Sequence, residues 1–400
     1  MLANRSGALA LFCAALTCVL LLLPKQAHAY PWMIRHHYPE CASCHHDPSG
    51  GGALTSYGRF IGEEVMRKSW FPADGDGGPP TAGFLFGRVK TPEWLDLGGD
   101  VRALELAGKS TGVPMDRRFI WMQLDGSATV HVGNFTASGV LGFAPQGALG
   151  AALTRGTENN LTSRQHWVGY QFPQVGGLSL RAGRMNLPFG IRSIEHTLWA
   201  RKLTHTNIND DQQYGVSAFF SAGPLRGEAM GILGNLQLRP DRYRERGYSA
   251  YLELAPLDGL GLGLSSLVTH RDLDTVTLKE TWRQAHGAFG RWRTPYEPLV
   301  MLGEWDYVFE SPKGQRYKRG HVAYLQADWE PVQGVHVLAT GEMNKVGVVH
   351  RYRSFGGWLS YLWFFAPHAD VRLDGIYQSL GAAEGSSGVF TVLLQGHVSL

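Results

Sequence analysis

Cys41-Ala42-Ser43-Cys44-His45 sets two thiols three positions apart and places an imidazole directly after the second. In that order the sulfurs can add across the two vinyl groups of a porphyrin while the histidine presents a ring nitrogen to the iron. The spacing therefore predicts covalent attachment of one c-type haem, with Cys41 and Cys44 as attachment points and His45 as proximal iron ligand. A disulfide, a thioredoxin-like pair and a zinc site compete for the same spacing. The redox pair belongs in a βαβ unit and a zinc site needs further ligand-rich clusters, and the chain shows neither pattern.

Four residues are candidates for the sixth iron position. His36 or His37 would reach it if the chain turns at Pro39, and Met33 or Met66 would do so with a higher reduction potential than two histidines give. His46 is set aside because its neighbour occupies the proximal side. Gly50-Gly51-Gly52 lacks the Lys-Ser/Thr ending of a phosphate loop, so its predicted use is tight bending of the backbone against the haem. A short helix from about Tyr57 to Arg67 would cover one edge with Phe60, Ile61 and Val65. A haem-binding segment of residues 30–70 is too small to enclose a porphyrin, so cover must come from the rest of the chain, either at the mouth of a larger domain or inside it.

Residues 1–29 read as an export signal: Arg5 supplies the positive start, Ala8 to Leu23 the apolar run, and Ala27-His28-Ala29 the small-x-small cleavage site. Cleavage would remove Cys13 and Cys18 and leave only the two cysteines of the motif, in a compartment that permits disulfides. The full chain carries 37 basic and 34 acidic residues; loss of Arg5 and Lys25 leaves 35 and 34, a balance of +1. With no basic stripe interleaved with aromatics, nucleic acid is not an expected partner.

Residues 71–95 form a linker, rich in Gly, Asp and Pro from Ala73 to Pro80. Beyond it the pattern changes to alternation of apolar and polar residues, with no convincing helix. Leu252 and Leu254 alternate with Ser249 and Glu253, Val371 and Leu373 with Arg372 and Asp374, and Ile120, Met122 and Leu124 with Gln123 and Asp125. Sixteen such strands fit between residues 96 and 400. Short turns, as at Gly223 or Ala366-Pro367, interleave with long polar connections near 108–117, 145–162, 188–210, 235–245, 271–281, 311–318, 346–353 and 380–387.

An all-β, antiparallel, up-and-down transmembrane barrel accounts for this sorting, because every backbone group must pair inside lipid and only a closed sheet does so with strands. Its lumen would be lined by Asp125, Arg181, Glu253, Glu304, Asp306, Asp328, Glu342, Arg372 and Asp374. Aromatics near strand ends, Trp167, Tyr170, Phe172, Tyr248, Trp329, Trp363, Phe364 and Phe365, would form girdles at the two interfaces.

Across residues 96–400 the turn sorting, strand number and amphipathic final strand resemble Gram-negative general porins. The resemblance implies a third long connection, here 188–210 with Arg192, Glu195, His196, Arg201, Lys202 and His205, that folds inward and narrows the lumen. The terminal Leu400 stands where such barrels usually end in Phe. Tyr38 to Phe60, with the C-x-x-C-H motif, Pro48, the glycine run, Leu54 and Tyr57-Gly58-Arg59-Phe60, resembles predicted outer-membrane barrels that carry an N-terminal single-haem cytochrome segment.

The expected function is electron transfer at the outer membrane, with the haem on the periplasmic side or in the lumen. One haem cannot bridge an apolar band about 25 Å tall, so a redox partner cytochrome or soluble electron shuttle is implied. The alternative is a porin or diffusion channel in which haem is structural, sensory or a plug. Catalysis ranks below both. Lipid is the expected surroundings, and the porin resemblance implies a homo-oligomer, such as a trimer.

Overall fold

The computed structural model describes residues 31–38, 41–66, 83–144, 160–175, 177–195, 197–209, 211–234, 242–274, 276–348, 352–366, 368–382 and 385–400. The export signal and the linker stretch Ala73 to Pro80 lie outside them. Three short helices come first: α1 (Pro31–Arg35), α2 (Cys41–Cys44) and α3 (Ser56–Val65). Thr55 caps α3, its hydroxyl accepting from the Gly58 N–H at 3.0 Å.

Sixteen strands follow. They are β1 (Leu95–Ser110), β2 (Asp116–Val132), β3 (Phe135–Ala144), β4 (Asn160–Phe172), β5 (Leu178–Met185), β6 (Gln213–Ala222), β7 (Leu225–Ile232) and β8 (Glu245–Leu257). The second half comprises β9 (Leu260–Arg271), β10 (Thr281–Arg293), β11 (Leu299–Pro312), β12 (Lys318–Val332), β13 (Val335–Asn344), β14 (Ser354–Ala366), β15 (Ala369–Ala382) and β16 (Gly385–Ser399). Each pairs antiparallel with its neighbours in sequence, and β16 returns to β1 to close the barrel. Closure leaves no sheet edge unpaired.

Alternation sorts the side chains as the sequence reading expects. Leu252 and Leu254 face outward, while Ser249 and Glu253 are buried on the inner face. All nine residues expected to line the lumen are buried, Asp306 completely, whereas Leu264 on the outer face is 67% exposed. An apolar exterior around a charged interior inverts the usual arrangement of a soluble protein.

Four expectations are corrected. On β2 the pairing jumps from Gln123 opposite Arg102 to Trp121 opposite Ala103, so Met122 is an extra residue. This bulge reverses the alternation, turning Phe119 and Trp121 outward and Ile120 and Met122 inward against the core. Trp167 and Phe364 are not girdle residues either. Trp167 lies inside, under the Arg181 guanidinium at 5.3 Å from its ring centre, and Phe364 packs edge-on against Trp32 at 6.0 Å. The connection expected at 380–387 is shorter than the others on its side, because β15 and β16 remain paired to Ala382 and Gly385.

The fourth correction is a helix, α4 (Trp199–Thr204), in the region read as strands only. It belongs to the third long connection, which runs through the lumen. The Ile191 N–H donates to Glu304 at 2.7 Å, the Trp199 N–H donates to Glu342 at 3.0 Å, and Arg192 reaches Glu228 at 2.8 Å. Arg201 pairs with Glu304, and Arg372 of β15 donates to Glu195 at 2.6 Å. The wall carboxylates meet loop cations and amides, so this inward loop satisfies charges that a low-dielectric interior would otherwise leave costly.

Candidate functional site

The N-terminal segment also lies inside the barrel. Asp47 accepts from Arg181 of β5 at 2.6 Å, Asn186 donates to Ser49 at 3.0 Å, and Arg59 donates to the Leu97 carbonyl. Glu63 meets His368 at 2.6 Å, and Gln333 donates to the carbonyls of Glu64 and Val65 at 2.8 and 3.0 Å. Leu97, Gln333 and His368 belong to the end of the barrel where the strands are joined by short turns.

Glycines make this close approach possible. Gly52 has φ +70° and stands against Val140 and Ser138 of β3, where an L side chain would be strained. At Gly58, a Cβ would fall inside contact distance of the Cys44 carbonyl, so α3 crosses α2 at a point where only glycine fits. The Thr55 N–H and hydroxyl both donate to that same carbonyl, at 2.9 and 3.2 Å.

Between the segment and the wall lies a cavity of about 370 Å³ lined by Cys41, Cys44, His45, Met33 and Met66 together with barrel residues that include Arg102, Arg164 and Arg372. Its volume falls in the range of small-molecule and cofactor pockets. Burial pushes the Cys41 thiol up and the Cys44 thiol up to about 11, so both stay protonated at neutral pH. The thiols are free. Burial pushes the His45 imidazole below its usual range and keeps it neutral, the form that ligates metal, and its Nδ1 is buried without a hydrogen-bond partner.

These residues fit a covalently attached haem. Two thiols and a neutral imidazole with an unpartnered nitrogen border one cavity, and the Nε atoms of Arg59 and Arg102 at its wall are likewise buried without partners. Of the four candidates for the sixth iron position, Met33 and Met66 line the cavity. His36 and His37 do not: His36 is held by Glu330 at 2.9 Å, and His37 is bonded to Arg293. His46 points elsewhere, to Asp96 at 2.7 Å.

Sequence reasoning missed the anchors of the segment. Asp47 and Arg181 are 134 positions apart, and no local spacing pairs them. The available signal was alternation, which had already put Arg181 on the polar face of its strand.

Several solved structures share this fold. OmpT of Vibrio cholerae, expressed in the outer membrane, superposes with a TM-score of 0.58 at 10% identity over 78% of this chain and 100% of its own. An anion-selective porin from Comamonas acidovorans gives 0.58 at 11% identity over 76% and 99%, and the outer membrane channel DcaP of Acinetobacter baumannii gives 0.57 at 11% over 78% and 99%. At such identities the likeness is one of fold: a closed, sixteen-stranded, porin-like barrel. No protein-family model and no curated protein matches the chain.

Proposed function

We propose that the protein is a porin-type barrel of the Gram-negative outer membrane whose lumen is restricted by its own N-terminal segment, and that this segment carries one c-type haem. The observation that carries the reading is the location of residues 31–38 and 41–66 inside the barrel, tied to β1, β5, β12 and the turn before β15. The apolar exterior supports a lipid setting, as do the outer-membrane porins and channels among the structural neighbours.

Cys41 and Cys44 would hold the haem through thioether bonds and His45 would be its axial ligand. Bound there, haem would supply a one-electron couple and a rigid apolar plate. The protein's own groups prepare the place: burial keeps His45 neutral, Met33 and Met66 border the same cavity and would be the candidates for a further iron ligand, and Arg59 and Arg102 would offer donors to acidic substituents. The segment and the inward third loop meet, since Cys41 and Ala42 border a small pocket with Ile191, Arg192 and Glu195. Together they obstruct the lumen from both sides, which favours the channel reading with haem as plug, structural support or sensor.

Electron transfer is the second reading, favoured by the position of the motif toward the short-turn end. In an outer membrane that end faces the periplasm, within reach of a cytochrome or a soluble shuttle.

Two measurements on the detergent-purified mature chain test the proposal. A denaturing gel stained for peroxidase activity should show pigment in the wild type and none in a Cys41/Cys44→Ala variant. In planar bilayers the wild type should conduct poorly, and deletion of residues 31–66 should raise the conductance several-fold. Wild-type conductance equal to the deletion's would refute the restriction, and an unpigmented wild type made with a competent maturation system would refute the haem. Oxidation of the reduced pigment by a periplasmic cytochrome would support the second reading.

A further inference from the structure

A second cluster of ligand-type side chains lies outside the cavity. His46 Nε2 is 2.7 Å from Oδ2 of Asp96, and His131 Nε2 is 3.1 Å from the same oxygen. His46 comes from the N-terminal segment, Asp96 from the start of β1 and His131 from the end of β2. Their three ligand atoms lie within 4.8 Å of one another, and the two imidazole rings stack at 5.1 Å between centres.

We propose that His46, Asp96 and His131 bind one divalent transition-metal ion of the zinc type, which staples the N-terminal segment to the barrel wall. A tetrahedral ion with bonds near 2.1 Å holds its ligands about 3.4 Å apart, so the 3.1 Å separation of His131 from Asp96 is close to that spacing and the 2.7 Å separation of His46 has to widen by about 0.7 Å, within reach of side-chain rotation. Two imidazoles and one carboxylate make a donor set suited to zinc, nickel or copper, whereas magnesium and calcium take oxygen ligands. The His131 side chain is 35% exposed, which gives an entry path and leaves a fourth position for water. Arg59 stands near enough to stabilise the Asp96 carboxylate. Its positive charge opposes cation binding, so the site needs the nitrogen ligands and not charge alone.

The two histidines serve the segment in either state. Without metal, each can donate its Nε2 proton to the shared carboxylate oxygen. On binding, the Nε2 proton of each ring moves to Nδ1 by exchange with water, and the freed Nε2 lone pair takes the ion.

The test uses the full mature chain in detergent, stripped with a chelator and titrated with zinc by calorimetry, with cobalt as an optical probe. One equivalent should bind to the wild type, and cobalt should give the visible bands of a tetrahedral site. His131→Gln keeps a hydrogen-bonding group beside Asp96, and Asp96→Asn keeps the carboxylate's shape. Each should weaken zinc at least tenfold while circular dichroism still reports the wild-type sheet. Zinc should also slow proteolysis of the segment in the wild type and not in His131→Gln. Equal zinc affinity in the wild type and His131→Gln would overturn the proposal, as would the absence of a binding step in the wild type. The Cys41/Cys44→Ala chain should bind zinc like the wild type, so this result stands or falls apart from the haem.

Discussion

Asp47 and Arg181 form an ion pair at 2.6 Å in which each side chain is only 1% exposed, and it joins the haem-motif segment to the inner wall of the barrel. The same guanidinium also pairs with Glu228, which Arg192 of the inward loop shares. Segment, wall and loop thus meet in one buried network whose members cannot be removed independently.

Breaking this network from its centre should be costly. Arg181→Ala strands the Asp47 carboxylate, and loss of one partner of a buried pair destabilises by about 3–5 kcal/mol. Asp47→Ala should cost less, because Arg181 keeps Glu228. Limited proteolysis should show the N-terminal segment cut faster in both variants, with Arg181→Ala the more sensitive, while circular dichroism still reports the sheet.

Gly58 is the tightest point in the segment, since any side chain there meets the Cys44 carbonyl. Gly58→Val should separate α3 from α2 at about 1–3 kcal/mol or more. In the same variant, peroxidase-stained pigment should fall while barrel yield is preserved.

The inward loop depends on Arg201, which is fully buried against Glu304. Arg201→Ala should release α4 from β11, at about 3–5 kcal/mol, because the Glu304 carboxylate keeps the Ile191 N–H but loses its cation. In a chain that also lacks residues 31–66, single-channel traces should become noisier, and proteases should gain access to the 186–212 connection.

His205, at the end of α4, links that loop to pH. Burial, with Arg283 close by, pushes its pKa down to about 4. The unfolded loop takes up a proton at a pKa near 6.5, above that of the folded loop. The stabilising contribution is therefore complete above about pH 6.5 and is lost as pH falls toward 4, by at most about 3 kcal/mol. Protease sensitivity of the loop should rise between pH 7 and pH 4.5. His205→Asn, which tolerates the left-handed backbone at this position (φ 55°), should flatten the profile.

Much of the architecture was legible because strand alternation reports only which face is wet. Most of the sixteen strands and the charged lining follow from that rule, which is local and repeats along the chain, whereas β1 and β10 alternate poorly in sequence and are placed by the turns around them. It breaks where three-dimensional neighbours intervene. The Met122 bulge is set by pairing with β1. Trp167 and Phe364, by contrast, follow the alternation of their own strands inward, with Gln165 and with Ser360 and Leu362, and only the reading of strand-end aromatics as girdle residues misplaced them. Residues 30–70 announced attachment chemistry but not location. The sequence left the mouth and the lumen both open, and the choice between them rests on partners as distant as Arg181, Gln333 and His368.

Barrel closure has a consequence for biogenesis. Gly99 and Leu400 exchange backbone hydrogen bonds of 3.0 and 2.7 Å beside the β1–β16 seam, so the cylinder seals between its first and last strands. Arg59 and His46 of the docked segment hold the Leu97 carbonyl and the Asp96 carboxylate of β1, so the segment braces one of the two strands that must meet when the cylinder seals.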